Sequence, residues 1–166
     1  MLARLTSGIA LASIAALVLV GCTPGSDERV ANESREAWDE YLSVLVAYGA
    51  APADATREGL LAVSTADVAD GQLRNFEQAA DAGVHSEGAR ATSAYEVVEA
   101  DGDEIQANVC VDISAERVIA SDGEDITDPQ RPSSLAYSVT IASDDGDFLV
   151  TSYAEYDGPT ESNPCA

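Results

Sequence analysis

The spacing of hydrophobic positions changes twice along the chain, and each change predicts a different kind of element. Segment 5–20 is apolar at most positions and ends at Gly21 and Cys22. From about residue 32, apolar residues recur every three or four positions, which is the spacing of one helix face. Beyond Gly88 the spacing drops to two, which is typical of strands with one buried face. The predicted order is therefore a signal helix, then further helices, then a sheet.

Three helices are predicted after the signal segment, over 32–48, 55–63 and 65–82. Gly49 and Gly83 stand just beyond the first and third, where a glycine commonly ends a helix. The first helix carries an apolar stripe on one face, formed by Trp38, Tyr41, Leu42, Leu45 and Tyr48. A stripe of this width packs on a core by default, so this helix is expected to cover a sheet face.

Four strands are predicted, over 91–99, 104–113, 135–143 and 147–155. In the second strand one face is apolar and consists of Ile105, Ala107, Val109, Val111 and Ile113. Cys110 falls on the opposite face, because successive side chains of a strand alternate. Helices followed by an antiparallel sheet are the α+β order, and we expect a curved four-stranded sheet, cone-like, with the N-terminal helices packed on it.

Length and charge limit the organisation and the partners. Residues 33–166 suffice for a single α+β domain with a modest core. Segment 22–32, rich in charge with Pro and Gly, is predicted to be a flexible tether. The chain has 30 acidic and 8 basic residues and a net charge of −22. We expect no nucleic-acid partner, because binding phosphates requires clustered cations.

The start of the chain has the parts of an export signal, with Arg4 before an apolar core and small residues at its end. Leu19-Val20-Gly21-Cys22 resembles the lipobox of bacterial lipoproteins. That resemblance implies cleavage after Gly21, removal of residues 1–21, and a diacylglyceryl group on Cys22. The protein would then be lipid-anchored on the outer face of the cytoplasmic membrane. Simple secretion and an uncleaved anchor are the alternatives, although the 16 residues of segment 5–20 make a helix of only about 24 Å, shorter than a bilayer core of about 30 Å.

Cysteine usage depends on that anchor. If Cys22 carries lipid, Cys110 and Cys165 remain as a pair in an exported chain, and such a pair predicts a disulfide. Because Cys110 lies on the outer sheet face, the bond would hold the C-terminal tail over that face. Two free thiols are the alternative.

Element order and patterning resemble the nuclear transport factor 2-like superfamily, a curved sheet wrapped around N-terminal helices. The segments "VCVDISAERVIASDGEDI", "RPSSLAYSVTI" and "DFLVTSYAEY", with the cysteine near the C-terminus, look more narrowly like small secreted actinobacterial proteins of that superfamily. The resemblance covers residues 33–165. It implies a cone that could hold a small ligand, and in enzymes of the superfamily a proton-transfer site of Asp, Tyr and His. Matching catalytic positions are not found in this chain.

Candidate chemistry is sparse. The single histidine, His85, lies in a polar segment and is predicted to be an exposed loop residue without a catalytic role. The acidic runs 101–104, 122–128 and 144–147 do not fit a twelve-residue calcium loop and are better explained as turns. No metal site and no cofactor are expected, and calcium binding stays the weakest hypothesis.

Aromatic residues are the remaining candidates for a site. Four of them could line a pocket in the cone, namely Trp38, Tyr41, Tyr95 and Tyr137. They could equally fill the core, with the tyrosine hydroxyls reaching its rim. Two functions follow as expectations. The first is a non-enzymatic envelope lipoprotein with a binding or assembly role and an envelope protein partner; the second is a small-ligand-binding or isomerase-type protein of the same fold.

Overall fold

The computed structural model describes residues 26–166, so the signal segment 1–21 with its cleavage site at Gly21 and the lipidation residue Cys22 lie outside the described residues. The helices are α1 (Ser26–Ala50), α2 (Arg57–Leu61) and α3 (Ala66–Ala82), with short 3₁₀ helices at Pro52–Asp54 and Thr160–Ser162. Among residues 26–166, no helix is both long and apolar enough to cross a lipid bilayer.

Helix α1 begins at Ser26, earlier than the predicted start near Asn32, so the tether predicted over 22–32 is wrong from Ser26 onward. The first turns are charged rather than apolar, and they are compatible with helix because exposed helices gain from charge pairs four residues apart. Arg29 and Glu33 form such a pair at 2.7 Å. Hydrophobic spacing could not reveal these turns because few of their side chains are buried.

The strands are β1 (His85–Glu87), β2 (Ala91–Asp101), β3 (Glu104–Asp112), β4 (Arg117–Ile119), β5 (Ser134–Asp144) and β6 (Asp147–Glu155). Four of them form one antiparallel sheet in the order β2-β3-β5-β6, which confirms the predicted α+β sheet. The two short strands β1 and β4 pair separately and were not predicted. Each is three residues long, too short for a period to be recognised.

The main core lies between α1 and the inner sheet face. Trp38 and Tyr41 are 2% and 0% exposed, and they pack with Val109, Val111 and Val139 in one cluster. Val109 and Val111 lie on the apolar face that the alternation predicted for β3. The register shifts within the β2–β3 and β5–β6 pairs mark irregularities of the kind that bend a sheet. The sheet therefore curves toward α1, which packs on its inner face.

The α2–α3 connection covers the edge of β6. The Thr65 amide donates to the Val150 carbonyl at 3.0 Å, and the Val150 amide donates to the Val63 carbonyl at 3.2 Å. These bonds satisfy backbone groups that an open edge strand would expose. They also fix α3 beside β6, so that α3 and α1 meet the sheet from the same side.

A disulfide joins Cys110 and Cys165, as the cysteine arithmetic predicted. Cys110 is buried, yet it is absent from the apolar cluster that contains its neighbours Val109 and Val111. It therefore lies on the outer face of β3, where the C-terminal tail covers it.

Acidic residues of the loops serve as turn formers. The carboxylates of Asp112, Asp122, Asp125 and Asp128 each accept a hydrogen bond from the backbone amide two residues later, at 2.8–3.0 Å. This is the Asx turn, in which a short acidic side chain replaces a backbone acceptor. The interpretation of these acidic runs as turns is therefore correct.

Candidate functional site

A cavity of about 250 Å³ remains between α1, α3 and the inner face of the sheet. Its aromatic wall consists of Trp38, Tyr41, Phe76, Tyr137 and Tyr153. Its polar residues are Gln72, Asn75, His85, Ser86 and Arg90. The aromatic residues on α1 thus fill the inner part of the cone and still leave a space beside them.

Four aromatic rings surround the inner end of this cavity. Trp38 lies 5.6 Å from Tyr41 and 6.2 Å from Tyr137, measured between ring centroids. Tyr153 lies 5.9 Å from Tyr41 and 6.1 Å from Tyr137. The interplanar angles of 42–71° are tilted or edge-on, which are the arrangements aromatic pairs prefer. These mutual contacts hold the wall in place.

Hydrogen bonds fix two of these side chains further. The Trp38 indole Nε1 donates to the Thr92 hydroxyl at 3.1 Å, and that hydroxyl donates to Asp39 Oδ1 at 2.6 Å. The Gln72 amide nitrogen donates to the Tyr153 hydroxyl. Gln72 is buried on α3, so this bond ties α3 to β6 across the cavity wall.

The Tyr41 hydroxyl is the exception among these polar groups. It is fully buried beside Tyr153 and meets no partner at hydrogen-bonding geometry among the described residues. Burial, followed by the neighbouring Tyr153, raises the pKa of Tyr41 far above its ordinary value. Burial also raises the pKa of Tyr137. Both hydroxyls are therefore protonated at neutral pH and remain so well above it.

Arg90, which lines the cavity, belongs to a cluster of two arginines and one carboxylate. Arg90 donates to Oε1 of Glu116 through Nε at 2.9 Å and through Nη2 at 2.5 Å. Arg131 reaches Oε2 of the same carboxylate at 3.3 Å and donates to the Ile113 carbonyl at 2.8 Å. The Glu116 side chain is only 8% exposed. One buried carboxylate is thus shared by two guanidinium groups.

Gly88 allows this cluster to form. Its φ is +95°, and a Cβ at this position would overlap the carbonyl oxygen of Ala115. Only glycine combines this backbone conformation with such a close approach. The contact brings the loop that carries Glu116 against the start of β2, where Arg90 lies.

The structure separates the predicted pocket residues. Trp38, Tyr41 and Tyr137 line the cavity, whereas Tyr95 does not. The Tyr95 hydroxyl instead donates to Ser34 at 3.0 Å, and burial raises the pKa of Tyr95. Tyr95 belongs to the contact between β2 and α1, because its strand position faces the N-terminal half of that helix.

The prediction that His85 is an exposed loop residue is wrong. It lies in β1, lines the cavity, and has its Nε2 3.8 Å from Glu87 Oε1. Its side chain is 36% exposed, which places it at the rim. Sequence reasoning also missed Gln72 and Arg90. Only the Gly88 beside Arg90 signalled a close backbone approach there.

Among the residues that the structure describes, no group of three or more His, Cys, Asp or Glu side chains could hold a metal ion. The cavity itself offers amides, hydroxyls, one imidazole and one guanidinium. These groups can bind an organic molecule through hydrogen bonds.

Comparison with known proteins identifies relatives by fold alone. No protein-family model and no curated protein sequence matches the chain. The intermembrane space region of the chloroplast protein ARC6 superposes with a TM-score of 0.55 at 11% identity, covering 77% of this chain and 97% of that one. A Novosphingobium aromaticivorans protein assigned as an aromatic ring hydroxylase superposes with a TM-score of 0.54 at 16% identity, covering 77% and 92%. The α+β cone expected from the nuclear transport factor 2-like resemblance is confirmed as a fold.

Proposed function

We propose that this chain is a membrane-anchored envelope protein that binds a small, largely apolar molecule in its cavity without transforming it. The observation that carries this proposal is a cavity of about 250 Å³ with a largely apolar and aromatic wall and a few polar side chains. An apolar cavity of about 150 Å³ in another protein holds benzene. The space here therefore suits one substituted six-membered ring.

The polar groups of the wall favour binding over catalysis. The Tyr137 hydroxyl is protonated at neutral pH and can orient a ligand as a hydrogen-bond donor. A few polar groups in a mostly apolar wall are typical of a ligand pocket.

The anchor bears on how the cavity is presented. If Cys22 carries lipid, α1 begins only four residues later, at Ser26. The residues of α1 that line the cavity run from Trp38 to Gly49, in its C-terminal half. At 1.5 Å per residue, α1 spans about 36 Å from Ser26 to Ala50. The cavity thus lies toward the end of the helix that is remote from the anchor.

Titration of the protein with p-cresol and indole tests the proposed binding. Trp38 is the single tryptophan and lines the cavity, so its fluorescence reports occupancy. We expect saturable binding in the wild type and a loss of at least tenfold in Ala79→Leu, which places a larger side chain in the cavity. Ala82→Leu is the matched control, because Ala82 is exposed on the same helix. Equal affinities in the two folded variants, or no saturable change at millimolar ligand, would refute the proposal.

The anchor has a direct test of its own. Mass spectrometry of protein purified from membranes should find a diacylglyceryl adduct on an N-terminal Cys22. The Cys22→Ala variant should lack the adduct. It should either be lost from the membrane fraction or keep its N-terminal signal segment. An unmodified N-terminus at another residue would refute lipidation and leave the cavity proposal untouched.

A proton-transfer enzyme is the second candidate, and the placement of His85 favours it. Its imidazole lines the cavity, where a general base can reach a bound ligand, and the Glu87 carboxylate lies 3.8 Å away, beyond hydrogen-bond distance. Exchange of the α-protons of cyclohexanone with deuterium would reveal such chemistry by NMR. Exchange above the buffer rate that His85→Gln removes would support catalysis. Exchange at the buffer rate would leave binding as the function.

A further inference from the structure

The charge distribution around the cavity indicates which ligand it takes. The chain has 30 acidic residues. Nevertheless, no Asp or Glu occurs among the described residues that line the cavity, whereas Arg90 and His85 both do. A protein with a net charge of −22 repels anions in general. The side chains that line the cavity therefore carry no negative charge, in contrast to the strongly negative chain as a whole.

The arginine cluster supplies an unbalanced positive charge at this wall. Glu116 neutralises one of the two guanidinium groups that contact it, so the cluster holds one positive charge in excess. Both terminal nitrogens of Arg131 are already hydrogen-bonded, Nη1 to Glu116 and Nη2 to the Ile113 carbonyl. Arg90 uses Nε and Nη2 for Glu116, and its Nη1 has no partner among the described residues. Arg90 also lines the cavity.

The remaining polar groups are suited to the same ligand. The Tyr137 hydroxyl stays protonated and can donate a hydrogen bond, and a carboxylate accepts hydrogen bonds from several donors at once. The aromatic side chains of Trp38 and Tyr153 line the same cavity. An apolar ring with a carboxylate matches both parts of the wall.

We propose that the ligand is a small aromatic monocarboxylate, whose ring occupies the aromatic end of the cavity and whose carboxylate pairs with Arg90. This inference rests on the proposed function, because it names the ligand class of the same cavity. A guanidinium recognises a carboxylate through charge-assisted hydrogen bonds, which are stronger than neutral ones. We expect about a tenfold preference for the anion over a neutral ligand of the same shape.

Benzoate and benzamide form the decisive pair, because they have nearly the same planar shape and differ in charge. Isothermal titration calorimetry on the folded domain should give the tighter binding for benzoate. Equal or tighter binding of benzamide would overturn the inference and leave the cavity proposal standing. Binding of neither ring would overturn both.

Two substitutions with opposite expected effects separate recognition from a structural role. Arg90→Gln should remove the benzoate preference, while benzamide affinity stays within about twofold. Glu116→Gln should increase the preference, because it releases Arg90 from its carboxylate. Arg117→Gln is the control of equal charge change, since Arg117 pairs with Glu87 and does not line the cavity. The role of Arg90 would be overturned if Arg90→Gln kept the preference for benzoate, or if Arg117→Gln lost it equally. If neither the Arg90 nor the Glu116 variant folds, the comparison of benzoate with benzamide on the wild-type protein still decides the ligand class.

Discussion

Replacing Tyr41 with phenylalanine should stabilise the domain, whereas the same change at Tyr95 should destabilise it. Among residues 26–166 the buried Tyr41 hydroxyl has no hydrogen-bond partner, whereas the Tyr95 hydroxyl donates to Ser34 at 3.0 Å. The two substitutions remove the same atom, so they differ only in what that atom contacts.

The magnitude follows from the cost of burying a polar group. An unpartnered buried hydroxyl costs about 1–3 kcal/mol, and a small void left by its removal offsets part of the gain. We expect Tyr41→Phe to raise the free energy of unfolding by about 1 kcal/mol. Tyr95→Phe loses one hydrogen bond and should lower it by about 1 kcal/mol. Ser34 keeps its bond to the Ala31 carbonyl at 2.9 Å, which limits that loss.

Urea unfolding measures both effects. Trp38 is the single tryptophan and is buried, so its fluorescence should report loss of the core. With a slope of about 1.5 kcal/mol per molar urea, a change of about 1 kcal/mol moves the midpoint by about 0.7 M. Far-UV circular dichroism provides a second probe, since the Tyr41 ring lies 5.6 Å from the indole and the substitution there can alter the fluorescence amplitude.

The two midpoints should move in opposite directions with unchanged slopes. A Tyr41→Phe variant that is destabilised as much as Tyr95→Phe would show that the Tyr41 hydroxyl has a partner in solution.

Three further outcomes are expected. Tyrosine in the unfolded chain ionises at a pH of about 10, whereas burial raises the pKa of Tyr41 in the folded state. The free energy of unfolding should therefore fall as the pH rises above about 10, and it should fall less steeply in Tyr41→Phe. Parallel plots of unfolding free energy against pH for the two proteins would contradict this. Glu116→Gln leaves two partly exposed guanidinium groups without their carboxylate and should lower the free energy of unfolding in urea by about 2–3 kcal/mol. An unchanged free energy of unfolding would show that the cluster does not stabilise the fold. Replacing Cys110 and Cys165 with serine removes the disulfide that closes a loop of 55 residues. The free energy of unfolding should fall by up to about 4 kcal/mol, the chain-entropy value for a loop of this length. An unchanged melting temperature would show that the disulfide does not stabilise the fold.

Local periodicity was sufficient to predict the main elements of this fold. A side chain's face within one element depends on positions two, three or four residues away, so spacing alone placed Trp38 and Tyr41 on the buried face of α1. The same alternation placed Cys110 on the outer face of β3, where the disulfide lies. Spacing failed where little is buried, at the first turns of α1 and in the two strands of three residues.

What the sequence by itself determined is which side chains each helix and strand buries, because burial period is a local property of the chain. Only the tertiary structure decided what those side chains surround. Arg90 and Glu116 are 26 residues apart and unremarkable in sequence, and the close approach at Gly88 brings them together. The cavity is the space left when α1, α3 and a bent sheet pack at their closest distances, and no single residue encodes an unfilled volume.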